Sequence, residues 1–256
     1  MKNKILLATA LSLLGTAAFA QATAVQFNSG DNGGALKVAQ SKYGRSQALS
    51  TAIVDIDDDG NAEIAVRFDE SCSSDRCDHA LLYFSGSRWQ EVLETRTSYL
   101  AVSREQQQGV RHLLQDHNVR WSWMNGVYEP SPAEVTNLEE ISEPSGALAR
   151  YEAADTDVRR LTKVTRELAD LTGDGATESV VKSRIIPDCT GTNICPVLVF
   201  DESGKKIGDF YSEAAQIGLF GDELYTFGRY GFSSYAFDGQ TYSHKETFMS
   251  LAAPGK

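Results

Sequence analysis

The chain has 256 residues, 41% hydrophobic and 23% charged, the composition of a globular protein with a real core and not of a disordered or fibrous one. Its 35 acidic against 24 basic residues give a formal charge of -11, which argues against a sequence-independent grip on nucleic-acid phosphates and in favour of cations as partners. Four cysteines are too few for a disulfide scaffold and four histidines too few for a metal store, so any chemistry has to come from a local constellation.

Residues 1–20 run from Lys2 and Lys4 through an apolar stretch at 5–14 to the small-residue end Ala17-Ala18-Phe19-Ala20. This is the pattern of a signal peptide cut after Ala20, because the apolar run falls short of the roughly 20 residues that span a bilayer. No later segment is apolar enough to be a membrane span. The expectation is a periplasmic or secreted protein. Loss of Lys2 and Lys4 leaves 22 Lys plus Arg against 35 Asp plus Glu, a formal charge of -13. Export also brings the cysteines into an oxidising compartment and makes calcium more available than in cytosol.

The first acidic loop reads Asp55-Ile56-Asp57-Asp58-Asp59-Gly60-Asn61-Ala62-Glu63. Oxygen ligands at positions 1, 3 and 5, followed by glycine, are how a short segment wraps calcium. An EF-hand needs glutamate at position 12, where Val66 stands. The acid sits instead at position 9, Glu63, where a β-branched run at 64–68 begins, so the loop feeds a hairpin and not a helix. The competing reading is a solvated Asx turn, favoured by Asp and Gly for backbone reasons alone. Calcium outweighs it here, since three carboxylates and Glu63 share one short segment.

Cys72 and Cys77 follow, and then an apolar run at 81–84. The two cysteines are expected to form a local disulfide that pins a hairpin connection; zinc is the rival, with only His79 nearby and a spacing unlike structural sites. Residues 103–116 carry a helix-like pattern with Ser103 placed as an N-cap. Their counterpart at 221–228 reads as a strand through Leu224-Tyr225-Thr226-Phe227, and consistency between the two favours strand in both. Trp121 and Trp123 alternate before Asn125-Gly126, with Tyr128 beyond. Asn-Gly signals a two-residue hairpin, because both central residues of a type I′ turn need positive φ. Rings at every second position share one sheet face, and core packing is preferred to a ligand-stacking platform.

Residues 129–146, with Pro130, Pro132 and Pro144 among several glutamates, read as a linker. Beyond it the first half is written again. Asp170-Leu171-Thr172-Gly173-Asp174-Gly175-Ala176-Thr177-Glu178 aligns with the first loop at an offset of 115, with four of nine positions identical. A β-branched run at 180–186, the pair Cys189 and Cys195, an apolar run at 197–200, and Tyr235 and Phe237 before Asp238-Gly239 and Tyr242 follow in the same order. A second local disulfide, Cys189 to Cys195, and a second two-residue hairpin are expected. Val181 stands at position 12 and Thr172 replaces the second carboxylate, so at this loop the solvated turn outweighs calcium. The fold expected is mostly β: two tandem, similar antiparallel β-meander units, 25–128 and 147–256, blade-like, with four or five strands each.

The pattern D-x-D-x-D-G-x-x-[DE], running into a strand and written in tandem, resembles the calcium loops of FG-GAP and VCBS-type repeat proteins, the blade family of integrin-like β-propellers. The resemblance implies calcium held in the loops, a periplasmic or extracellular setting, and binding or adhesion as the role. Carried onto this sequence it implies Asp55, Asp57, Asp59 and Glu63 as ligands with the Asn61 carbonyl, and Asp170, Thr172, Asp174 and Glu178 with the Ala176 carbonyl. Two units supply too few blades for a closed propeller.

A G-x-S-x-G elbow, a phosphate loop and an H-E-x-x-H helix are all absent from the sequence. His112 and His117, five apart, fall on opposite faces of a strand. The function expected is an exported, non-enzymatic binding module with structural calcium, acting on a protein or polysaccharide and on neither nucleic acid nor membrane. The alternatives are an envelope enzyme or an accessory subunit of one, a carboxylate-based hydrolase, and an inhibitor of a foreign hydrolase.

Overall fold

The computed structural model describes residues 22–116, 118–132, 136–137, 140–141, 164–183, 189, 193–220 and 223–253. The expected signal peptide, His117 and most of the expected linker lie outside these residues. Strand β1 (Thr23–Ala24) leads to helix α1 (Ala35–Tyr43), and then come β2 (Leu49–Val54), β3 (Glu63–Ser73), β4 (Arg76–Phe84) and β5 (Trp89–Thr97). β6 (Leu100–Gln107), β7 (Val110–Gln115), β8 (Val119–Met124) and β9 (Val127–Pro132) follow, and after them the short β10 (Thr136–Asn137) and β11 (Glu140–Ile141). The second half supplies β12 (Val164–Ala169), β13 (Glu178–Ser183), β14 (Ile194–Phe200) and β15 (Lys206–Glu213), then β16 (Ile217–Phe220), β17 (Glu223–Gly228), β18 (Gly231–Phe237) and β19 (Tyr242–Met249).

Among the described residues the chain is mostly β, one helix beside antiparallel sheets that close into neither a barrel nor a propeller. The first sheet is β2-β3-β4-β5, the second β1-β6-β7-β8-β9, the third β11-β12-β13-β14-β15 and the fourth β10-β16-β17-β18-β19. Each half therefore holds two meanders, where the sequence suggested one. The division of the first half falls at Ser98 and Tyr99, where Asp116 gathers the chain: its Oδ1 accepts from both amides at 3.0 Å and from the Thr97 hydroxyl at 2.7 Å. Residues 103–116 lie within the β6–β7 hairpin, strand and not helix.

Strand positions repeat between the halves. β12 begins and ends 115 residues after β2. Asn28 bridges Thr51 on β2 much as Ile141 pairs with Arg166 on β12, and β1 lies on the edge of β6 as β10 lies on the edge of β16. Residues 136–137 and 140–141, assigned to a linker above, thus take in the second half the places that 23–24 and 28 take in the first. Two-residue edge strands carry no alternation that a sequence pattern could show. β9 also continues to Pro132, past the expected boundary at 128, and as an edge strand it tolerates prolines that cannot donate to a ladder.

Period-2 alternation decides where the cores lie. In the fourth sheet Leu224 and Tyr242 face the third sheet, joining Val180, Val199 and Phe210 in one core. Tyr225, Phe232 and Phe248 point from its other face into a core with Leu81, Leu93, Leu113 and Trp121 of the first and second sheets. A sheet buried on both faces ties the two halves into one packed body, so the expected boundary between the units does not separate two cores. Helix α1 starts at Gly34, which has a φ of 87° and gives no side-chain cap, and it buries Ala35 and Ala39, one turn apart, on the outer face of the first sheet.

Candidate metal centre

The loop between β2 and β3 closes on its own carboxylates. The Asp55 carboxylate accepts from the Asp58 amide at 2.8 Å, and the buried Glu63, 2% exposed at the start of β3, accepts from the Ile56 amide at 3.1 Å. Asp58 and Gly60 take positive φ, 58° and 83°, which lets the chain reverse within five residues. As a result carboxylate oxygens of Asp55, Asp57 and Glu63 lie within 4.8 Å of one another, and no other such group of His, Cys, Asp or Glu occurs among the described residues. Asp59, expected as the third ligand, falls outside this group; it accepts from the Asn61 amide at 2.6 Å and from the Asn61 side chain at 2.9 Å, and these bonds hold its carboxyl below the usual range.

Of the three acids, the buried Glu63 is the one whose ionisation is opposed. Burial, with the charges of Asp57, Asp59 and Asp55 adding to it, pushes Glu63 up to about 7 against the opposing bond from Ile56. A divalent cation would reverse the balance, since oxygen-only, anionic donors on a tight loop suit a hard ion. The Tyr83 hydroxyl donates to Asp57 at 3.2 Å, and Trp123 lies between Tyr83 and Tyr128 with ring centroids 5.4 Å from each. Asp58 faces the other way, toward Gln106 and Arg111 of the second sheet. Sequence reasoning gave Asp58, Tyr83, Gln106 and Arg111 no role, because these contacts join residues 26 to 53 positions apart.

The second loop is built differently. Asp170 accepts from the Gly173 and Gly175 amides at 2.8 and 3.0 Å, Asp174 from Ala176 at 2.8 Å, and Glu178 from Leu171 and Thr172 at 2.6 and 3.2 Å. Its acids are not brought within reach of one another as those of the first loop are. Glu178 is fully buried, however, and its Oε1 and the buried Thr172 Oγ1 have no hydrogen-bond partner. Burial, with Asp174 and Asp170 adding to it, raises Glu178 against the bonds from the two amides. Orphaned buried oxygens at expected ligand positions fit a loop that takes a cation or water. Tyr242 steadies the loop with a hydroxyl bond of 2.6 Å to the Leu171 carbonyl.

Both expected disulfides are present, Cys72–Cys77 and Cys189–Cys195, which removes the zinc reading. Such bonds persist in oxidising compartments. Among the described residues no helix is long and apolar enough to cross a membrane. Trp121 and Tyr128 are buried in the core, and Trp123, Tyr235 and Phe237 are half-buried against it. Asn125 and Gly126 form the two-residue turn, with φ of 53° and 87°. At Asp238-Gly239 the expected two-residue turn is a four-residue loop: Phe237 pairs with Tyr242, and the Asp238 carboxylate accepts from the Gln240 and Thr241 amides, stabilising the longer connection.

No known protein family, no characterised protein and no solved structure matches the chain.

Proposed function

We propose that the chain is an exported binding module, periplasmic or secreted, in which calcium braces the acidic loops and no reaction is catalysed. The observation that carries this reading is the convergence of Asp55, Asp57 and the buried Glu63, an arrangement whose charge cost a bound cation would offset. The FG-GAP and VCBS-type resemblance of the loop supports calcium over other divalent ions. The unpartnered Glu178 Oε1 and Thr172 Oγ1 support a weaker second site. A bound ion would stabilise the folded chain by an amount that grows with the logarithm of its free concentration over its dissociation constant. Calorimetric titration with calcium and with magnesium, beside thermal melts in calcium and in chelator, tests it. Heat of binding and a calcium-dependent rise in Tm are expected; identical melts in calcium and chelator would refute the role.

A further inference from the structure

Helix α1 covers only part of the outer face of the first sheet. Beyond its last residue, Tyr43, a cleft of about 490 Å³ opens over the ends of β3, β4 and β5, far from the acidic loop at the other end of β2 and β3. Phe68 and Tyr43, ring centroids 4.9 Å apart and edge to face, give it an aromatic side. Glu70, Asp78, Glu91 and Glu94 contribute carboxylates, and no lysine or arginine is among the lining residues. From the rim, Arg96 reaches Asp78 at 2.8 Å and Lys42 reaches Glu91 at 4.0 Å and lies 5.6 Å from the Tyr43 ring centroid, while the Tyr43 hydroxyl donates to Glu91; Glu70 has no such cationic neighbour among the ion pairs of the described residues.

Rings beside carboxylates recognise one kind of group: an alkyl stem that packs on the ring and ends in an ammonium or guanidinium. An anion would be repelled, and a wholly apolar ligand would strip water from four acids without replacing it. The volume is that of an organic-ligand site. The β2 ladder along β3 ends at the pair Leu49 and Phe68, so among the described residues 70–73 have no strand partner on that side. An extended chain can lie along such an edge while its side chains enter the cleft. We propose that this cleft docks a lysine- or arginine-bearing segment of a partner protein. The proposal rests on the reading of the chain as a binding module but not on its cation loops.

The probe is a fluorescein-labelled octalysine peptide, titrated by anisotropy against the full chain at about 150 mM salt, where long-range attraction to an acidic surface is screened. The double variant Glu70→Gln, Glu91→Gln is compared with a charge-matched control on exposed residues elsewhere, Glu105→Gln, Glu202→Gln. The cleft variant is expected to weaken binding about tenfold and the control less than about twofold. Equal weakening by both, or spermidine competing as well as the peptide, overturns the proposal. Carbodiimide cross-linking on the unmodified chain guards against a misfolded variant: cross-links are expected at Glu70 and Glu91, and links scattered over the surface or centred on the acidic loop count against it. Calcium melts on the same samples keep the two readings apart, because loss of peptide binding with an intact calcium response leaves the proposed function standing.

Discussion

The Arg111 guanidinium on β7 donates to the Asp58 carboxylate at the tip of the acidic loop, so the second sheet holds a loop that belongs to the first. The Arg111 amide also donates to the Ile56 carbonyl at 2.7 Å, and its carbonyl accepts from the Tyr128 hydroxyl at 2.8 Å. Gln106 adds a bond of 2.6 Å to Asp58. The left-handed backbone of Asp58 is one an aspartate tolerates, and these side-chain bonds select it. The loop that gathers the acids is thus braced from outside. In Arg111→Ala the backbone bonds stay and the charged clamp goes. The expected cost is about 0.5–1 kcal/mol, as for other half-exposed ion pairs. Calcium affinity should fall several-fold in titration calorimetry, and an unchanged affinity would mean that the loop shapes itself.

Substitutions among the converging acids should change sign with the ion. Asp57→Asn removes one of the charges that raise Glu63, so in chelator the variant should melt at or above the temperature of the unmodified chain. In saturating calcium it should melt below it, having lost a ligand charge. Glu63→Gln should behave alike, by about 1 kcal/mol or more in each direction, because the side chain it replaces is nearly fully buried. Melts of both variants in the two media check the crossing. A variant destabilised equally in both would make these residues braces for the turn alone.

What the sequence disclosed was local chemistry. The loops, the disulfides and the Asn125-Gly126 turn depend on residues close together in the chain, so Asp, Gly and Cys spacing revealed them, and the repeat followed at its offset of 115. The division of the first half into two sheets was hidden, because Asp116 acts on Ser98 and Tyr99 across 18 and 17 positions. Helix α1 was hidden too, since it has no side-chain cap and its only fully buried residues are the alanines Ala35 and Ala39. The acidic cluster was half legible. Spacing named Asp55, Asp57 and Glu63, but it also named Asp59, which the fold turns toward Asn61.

The disulfide loop of the first half reaches the second half. Arg76, next to Cys77, donates to Glu246 on β19 at 2.7 and 3.0 Å, to Asp116 at 3.3 Å, and to the Arg96 carbonyl at 2.7 Å. Such a bidentate, half-buried pair should show a coupling of about 1 kcal/mol in a double-mutant cycle of Arg76→Ala with Glu246→Ala. Cys72 and Cys77 close too short a loop to restrict the unfolded chain greatly, so Cys72→Ser, Cys77→Ser should cost less than about 3 kcal/mol. If the disulfide presents Arg76 to Glu246, the coupling should shrink in that background. Chemical denaturation of the cycle with and without the disulfide measures it, and an undiminished coupling would make the bond a local staple only.

His79 makes stability depend on pH. It is buried at 4% exposure, its Nδ1 bonded to the Cys77 carbonyl at 2.8 Å and its ring 5.0 Å from Phe27. Burial, with the Arg67 charge adding to it, lowers its pKa to about 4 against the opposing Cys77 carbonyl and the charges of Asp116 and Asp78. The unfolded chain therefore binds the proton first, and the stability His79 contributes is complete above its unfolded value of 6.5 and lost as pH falls toward 4. Between pH 7 and 4.5 the loss is about 2 kcal/mol from this residue. Glu63 acts in the opposite sense. With a folded pKa near 7 against 4.5, it contributes stability below 4.5 that is lost as pH rises through 7, so in chelator the two slopes partly cancel. The histidine is isolated by difference: His79→Gln can still donate to the Cys77 carbonyl and does not titrate. Urea denaturation in chelator should show the unmodified chain losing about 2 kcal/mol more than the variant between the two pH values. Parallel profiles for the two proteins would place the acid sensitivity elsewhere in the fold.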